Sequence, residues 1–280
     1  MLILGGTGSL GIALAKICYT RGLPHTVVNR NQFEVTSRKS IERIISLYKP
    51  WAVINATGYT NIDMAEVAPM ECFRVNTLGP AVLAEICKEV KVKLVTFSSD
   101  QVFNGKKRNP YHECDLTEPL NVYGESKRKA EEAVLMLNPD ALIIRSSSFF
   151  NPWHDKDLLT CLLKGDHSNN EELFFPSDII FSPTYIADLI NTTLDLLIDN
   201  EFGIWHLSNK EETSFSNFIS LAFKMAGISS KSIVGVPYEK LKYRADRPQY
   251  SVLFNSRGVS LAPLENALEN YMNEITLTSK

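Results

Sequence analysis

Short apolar runs alternate with stretches of helical periodicity through the first half of the chain. Leu2–Leu4 is apolar and ends in glycines, and residues 10–19 carry apolar side chains at helical spacing, with Gly22 placed to close that helix. Thr26–Val28 follows as a second strand. Residues 40–48 are amphipathic: Ile41, Ile44, Ile45 and Tyr48 share one face, and Pro50 ends the pattern. The same reading predicts strands over 51–56, 92–97 and 141–144 and helices over 78–90 and 126–137. Strands that are apolar nearly throughout are covered on both faces, and their alternation with helices argues for parallel βαβ units. The expected fold class is therefore α/β, a Rossmann-type doubly wound parallel sheet over residues 1–146. A smaller, mixed α/β substrate domain is expected over 147–280, with a segment near 180–200 returning to the first domain. Pro152, Pro176, Pro183 and Pro237 punctuate this half; 188–198 and 215–226 read as helices and 204–207 as a short strand. The polar run 165–172 is expected to be a mobile loop, and 275–280 to fray.

Composition narrows the function more than the fold. Of 280 residues, 44% are hydrophobic and 22% charged, which is ordinary for a globular protein with a sizeable core. A net charge of −3 removes the broad basic footprint of a nucleic-acid binder, leaving only the local run Lys106-Lys107-Arg108. No apolar run approaches the roughly 18–20 residues of a membrane span, so no membrane partner is expected. The N-terminal residues run straight into the glycines and read as structure, not as a signal peptide. Five scattered cysteines without a CxxC pair read as free thiols in a reducing compartment, and the cytoplasm is the expected location. His112, His154 and His206 lack ligand spacing, so no metal is expected. Glu113 and Asp115 read as loop residues. Trp153 and Trp205 suit either stacking on a ligand or core packing.

Two constellations carry chemistry. Gly5, Gly8 and Gly11 recur between the first strand and the first helix, in a turn that also holds Thr7, Ser9 and Leu10. Small residues there permit a tight turn and close backbone approach to a pyrophosphate, which the free N–H groups of the helix N-terminus attract. Arg30, just after the second strand, favours the 2′-phosphate of NADPH, with NADH the alternative. The second constellation is Tyr123 and Lys127, one helical turn apart on one face. A free phenol titrates near about 10, and a neighbouring ammonium is expected to lower that value. Tyr123 could then pass a proton to a carbonyl oxygen while hydride arrives at carbon. Ser99, at the C-terminal end of the fourth strand where such sheets bind ligands, could orient the same oxygen.

These residues resemble the extended short-chain dehydrogenase/reductases, and within them the dTDP-4-dehydrorhamnose reductase family, over nearly the whole chain. The resemblance rests on Gly5 to Gly11, on Asn55-Ala56-Thr57-Gly58-Tyr59-Thr60, and on Asp63, Ala65, Glu66 and Asn76. It continues through 98–105, 119–127, Ser182-Pro183-Thr184, and Arg247-Pro248 with Ser251. It implies NAD(P)H-dependent reduction of the C4 ketone of a dTDP-linked 6-deoxy-4-ketohexose, giving dTDP-L-rhamnose. It also implies that Ser99, Tyr123 and Lys127 carry the chemistry. Ala56, Thr57, Gly58 and Tyr59 would lie along the cofactor, Asp100 and Arg247 near the substrate, and Val102 in a structural place. Gln101 and Ser148 stand where the family has tyrosine and tryptophan, which puts sugar specificity, not hydride transfer, in question. The chain is similar as well to reductase-like domains fused behind a glycosidase. A homodimer is compatible with all of this. Two other readings fit the same motifs, a sugar-nucleotide epimerase and a non-catalytic dinucleotide-binding regulatory module.

Overall fold

The computed structural model describes residues 1–165, 172–229 and 232–278. The loop expected at 165–172 lies, but for its end residues, outside them, as do the last two residues of the terminus expected to fray. Six parallel strands form the main sheet: β1 (Leu2–Leu4), β2 (Thr26–Val28), β3 (Ala52–Asn55), β4 (Lys93–Ser99), β5 (Leu142–Ser146) and β6 (Gly203–His206). Their spatial order is β2-β1-β3-β4-β5-β6. The chain reverses direction of travel between β1 and β3, which pair Leu4 with Asn55. A crevice at the carboxyl ends of these two strands follows from that switch, and ligands of open α/β sheets sit in such crevices.

Strand alternation sends side chains to two separate cores. Ile3, Ile54, Val95 and Ile144 face helices α1 (Ser9–Thr20) and α6 (Ile186–Ile198). Leu2, Leu4, Val53, Leu94 and Ile143 face α2 (Arg38–Tyr48), α4 (Gly79–Glu89) and α5 (Val122–Leu137). Between them in sequence lies α3 (Ile62–Val67). A third, aromatic core gathers Phe150, Phe181, Tyr185, Phe218, Phe223 and Tyr271 around α7 (Phe215–Met225) and α8 (Leu264–Thr278). There Phe181 stacks on Phe215 at 4.1 Å and Phe150 meets Tyr271 edge-on at 5.4 Å. Short strand pairs tie this region together; Phe149–Phe150 pairs with Thr184–Tyr185, and Leu173–Pro176 with Ile233–Val236.

The elements begin and end where polar residues take over the backbone bonds. Asn121 caps α5 by accepting from the Gly124 N–H at 2.7 Å, so the helix starts four residues before the apolar periodicity does and includes Tyr123. β4 runs on through Ser98 and Ser99 because Ser99 still pairs with Ser146 of β5. Helix α8 was not anticipated, although Leu264, Ala267, Leu268 and Tyr271 sit at helical spacing and are buried. Trp205 is buried in the core, with the Arg257 guanidinium 3.8 Å from its ring, and Val102 is fully buried.

Candidate active site

The glycine turn is built by backbone contacts. Gly5 has φ of +94°, a conformation that favours glycine, and a Cβ there would meet the Ala56 carbonyl oxygen at 2.8 Å. A Cβ on Gly11 would lie 2.2 Å from the Gly5 oxygen. Gly8 differs: its Cβ would touch only that oxygen, at 3.6 Å, an ordinary contact. Protein packing therefore demands Gly5 and Gly11, whereas Gly8 leaves open space. No side chain caps α1 at Gly8, so first-turn N–H groups are directed at the crevice. Gly5, Thr7 and Gly8 line it on one side, Arg30 and Asn31 at the end of β2, and Ala56 to Tyr59 beyond β3. Leu10 packs into the core and Ser9 is engaged by Asn151, so these two serve the turn through their backbone.

The segment after β3 is clipped by two asparagines. Buried Asn55 accepts from the Thr57 N–H and hydroxyl, at 3.2 and 2.6 Å. Asn76 accepts from the Tyr59 N–H at 2.7 Å, donates to its carbonyl at 3.0 Å, and donates to Ser126 on α5 at 3.0 Å. Asn76 lies on a single π-helical turn, Arg74–Leu78, an irregularity that recurs at functional sites. The wall of the crevice that follows β3 is thereby fixed to the helix that carries Tyr123.

Tyr123, Ser99 and Lys127 do converge. Gly124 lets α5 approach closely, since a Cβ there would stand 2.1 Å from the Gln101 carbonyl oxygen. Tyr123 and Ser99 line one cavity of about 270 Å³ together with Phe97, Asp100, Gln101, Ser148 and Arg247. The Lys127 ammonium lies 5.8 Å from the Tyr123 ring centre, donates to the Phe97 carbonyl at 3.0 Å, and passes beneath Gly58. Burial lowers the Lys127 ammonium to about 8, opposed by Cys72 and Glu131. Burial also raises the Tyr123 phenol above its ordinary value; a hydrogen bond with Ser99 opposes this, and the Asp100 charge reinforces it. The lowered phenol expected from the sequence is thus reversed. Desolvation of the phenolate outweighs the Ser99 hydrogen bond, and Tyr123 keeps its proton at neutral pH.

Asp100 is the most heavily bonded group in the cavity. One carboxylate oxygen accepts from Ser99 at 3.0 Å and Gln101 at 3.4 Å, the other from Ser147 at 2.9 Å and Ser251 at 2.7 Å. Burial pushes its carboxyl up while these donors pull it down. Asp100 thus fastens the end of β4 to the end of β5 and to the C-terminal segment. Arg247 is likewise committed: it grips Asp63 of α3 through two bonds of 2.6 and 3.0 Å and stacks over Tyr243 at 4.5 Å. Asp63 also accepts from the backbone of Arg244 and Ala245, and its carboxyl is held down at about 2, first by Arg247. Arg247 therefore reaches the cavity as half of a neutral pair. Gln101 accepts from Asn121 at 3.2 Å. The Ser148 hydroxyl is exposed to the cavity and has no hydrogen-bond partner among the described residues.

Sequence reasoning missed several of these parts. Ser147, Asn121, Gly124 and Asn151 act through contacts across long sequence separations; only the position of Asn121 ahead of a helix offered a local signal. His154 and Lys156, which line the cofactor crevice, also went unassigned. Among the described residues no group of His, Cys, Asp and Glu could hold a metal ion, and no helix is long and apolar enough to cross a membrane.

Comparison with known proteins decides the family. The chain matches the RmlD substrate binding domain over residues 1–276. It belongs to that family. Among its relatives, the dTDP-4-dehydrorhamnose reductase of Aggregatibacter actinomycetemcomitans is 31% identical over 255 residues, covering 89% of this chain and 86% of its own. The spore coat polysaccharide biosynthesis protein SpsK of Bacillus subtilis is 28% identical, covering 98% of this chain and 97% of its own. The solved dTDP-4-dehydrorhamnose reductase of Bacillus anthracis, in complex with NADP, superposes with a TM-score of 0.92 at 26% identity, covering 98% of each chain. The fold of a UDP-glucose 4-epimerase from Thermotoga maritima is shared at a TM-score of 0.82 and 18% identity. The α/β, Rossmann-type fold and the extended short-chain dehydrogenase/reductase class read from the sequence agree with these findings.

Proposed function

We propose that this chain reduces the C4 ketone of a dTDP-linked 6-deoxy-4-ketohexose, turning dTDP-4-dehydrorhamnose into dTDP-L-rhamnose with NADPH. The observation that carries this reading is the meeting of Ser99 and Tyr123 in a sugar-sized cavity, with the Lys127 ammonium 5.8 Å from the Tyr123 ring centre and the crevice segment 56–59 running directly into Thr60 of the cavity wall. The names of the relatives and the NADP held by the Bacillus anthracis reductase support the same substrate and cofactor.

The residues present fit the cofactor: Gly8 leaves unfilled space in front of open helix N–H groups, and Arg30 lines the same crevice without an ion pair among the described residues. When bound, NADPH supplies the hydride that the reduction needs. Tyr123 keeps a proton because its phenolate is desolvated, and it donates that proton to the ketone oxygen as negative charge develops there. Ser99 faces the same oxygen, held in place by Asp100. Lys127, fixed against the Phe97 carbonyl and beneath Gly58, sits between the cofactor segment and the phenol, where its charge favours the phenolate left behind. The test is loss of NADPH absorbance on dTDP-4-dehydrorhamnose by the wild type and by Tyr123→Phe. The variant is expected to lose about 10²- to 10⁴-fold in kcat, the usual contribution of a positioned proton donor. Equal rates would refute the role of Tyr123, and a wild type that consumes no NADPH would refute the reduction.

A further inference from the structure

The cofactor crevice has a wall that the glycine turn does not provide. After β5 the chain passes through Phe149–Phe150 and turns at Asn151 and Pro152. Asn151 is fully buried and donates to the carbonyl of Ser9 at 3.0 Å and to its hydroxyl at 2.8 Å. Its own carbonyl accepts from Thr160 at 2.9 Å, and its side-chain oxygen accepts from the Trp153 N–H at 2.9 Å. Trp153 lies under the Lys16 ammonium of α1, 4.7 Å from its ring centre, and donates to Glu274 of α8 at 3.0 Å. Residues 151–157 are thus bolted onto the first turns of α1, the helix whose N-terminus faces the crevice.

This strap ends in two polar side chains, His154 and Lys156, and both line the crevice with Thr7, Gly8 and Arg30. Arg74, which also lines the crevice, is spent on Glu71 and Glu34. Lys156 makes no ion pair among the described residues, nor does Arg30. A pyrophosphate at Gly8 carries two negative charges, and a helix N-terminus offers only about half a positive charge in return. Arg30 stands at the far end, beyond β2, whereas the strap is tied to Ser9, next to Gly8. We infer that His154 and Lys156 form a second, side-chain clamp on the pyrophosphate of the dinucleotide.

The inference rests on the cofactor reading above and deepens it. It divides the labour between side chains: Lys156, through its charge, and His154, through a ring N–H, act on a group that NADPH and NADH share, and Arg30 acts on the 2′-phosphate that only NADPH has. Titration of the intact protein by the fluorescence of bound NADPH and NADH measures both. The double variant His154→Ala/Lys156→Ala is expected to weaken NADPH and NADH alike, by about tenfold, as for charge-assisted contacts to phosphate. Added salt should shrink the gap between variant and wild type, since the contact is electrostatic and partly exposed. Arg30→Ala should weaken NADPH alone. Both side chains are solvent-accessible, so melting temperatures should stay near the wild type and separate lost contact from lost fold. Unchanged affinities for both nucleotides overturn the clamp. Weakening of NADPH alone overturns its assignment to the pyrophosphate and makes the strap a reader of the 2′-phosphate. If the wild type binds neither nucleotide, the cofactor reading fails and the clamp with it; if it binds both and the double variant does too, only the clamp fails.

Discussion

The crevice beside β1 and the cavity beside β4 are neighbours built by opposite means. The crevice is shaped by backbone: Gly5 approaches Ala56, Gly11 approaches Gly5, and Asn55 and Asn76 hold the next segment by its own N–H and C=O groups. The cavity is assembled by side chains from distant segments. Asp100 gathers Ser99, Ser147 and Ser251, and Asp63 gathers Arg247 with the backbone of Arg244 and Ala245. Where backbone packs on backbone, as at Gly5 and Gly11, almost no added atom is tolerated. Sites built from side chains lose one contact at a time and are free to vary in what they bind.

Within the crevice, two glycines carry the largest expected effect, because packing demands one while the other faces open space. Gly11→Ala forces a Cβ to 2.2 Å from the Gly5 oxygen, where rigid backbone must shift; a loss of about 3 kcal/mol in stability is expected from such overpacking. Gly8→Ala adds a Cβ that the folded chain accommodates, so its stability should stay within about 0.5 kcal/mol of the wild type. Yet that Cβ stands where the cofactor must approach, and NADPH affinity should fall at least about tenfold. Chemical denaturation and NADPH titration of the pair check this. Equal stabilities of the two variants would break the distinction between packing glycine and ligand glycine.

The same difference explains what was legible in the sequence. Gly5, Gly8 and Gly11, or Tyr123 and Lys127, act at fixed short spacings, and strand or helix geometry converts spacing into position. The Asp100 cage joins residues separated by as many as 151 positions, and no local pattern announces which serines will meet. Asp63 and Arg247 were recognisable as motif residues, but their mutual neutralisation became visible only when α3 and the C-terminal segment came together. The phenol of Tyr123 shows a subtler limit. Spacing correctly placed a cation beside it, but the sign of its shift depends on burial, a property of the whole fold.

Lys127 joins the two regions, and its titration gives the next effect. Its ammonium is lowered from 10.5 to about 8 by burial. Below about pH 8 the folded chain holds a buried charge, and the cost of that burial is fully present. Between about 8 and 10.5 the unfolded chain binds more protons than the folded one, so this group makes stability rise with pH. Activity should do the reverse and decline above about pH 8 as the ammonium is lost. Opposite slopes of urea midpoint and kcat over this range are expected, and their absence in Lys127→Met identifies the group. Parallel slopes would place the titrating group elsewhere.

Asp63→Asn probes the cavity side alone. It keeps the shape but removes the charge opposite Arg247 and weakens the grip on the 244–247 backbone. A partly exposed, multiply bonded carboxylate supports an expected loss of about 1–2 kcal/mol. The KM for the sugar nucleotide should rise severalfold while NADPH affinity stays constant, because the crevice is fixed by Asn55 and Asn76 instead. A matching fall in NADPH affinity would erase the line between the two regions.

The smallest effect is expected at Ser148, where the cavity is least determined. Its carbonyl is fixed by the Thr184 N–H at 3.0 Å, so the backbone position is set independently of the side chain. Its hydroxyl faces the cavity without a partner among the described residues. Removing that hydroxyl leaves no internal bond unmade, and Ser148→Ala should change stability by less than about 0.5 kcal/mol. A sugar hydroxyl that pairs with Ser148 would lose one neutral hydrogen bond, worth about 0.5–1.5 kcal/mol, which appears as a KM increase of about two- to tenfold with kcat retained. A tryptophan at this position would fill the space with an indole and offer no hydroxyl acceptor. A KM unchanged for dTDP-4-dehydrorhamnose but raised for a sugar with one more hydroxyl would mean that Ser148 selects a more polar hexose, sharpening the view that side-chain-built walls are where specificity moves.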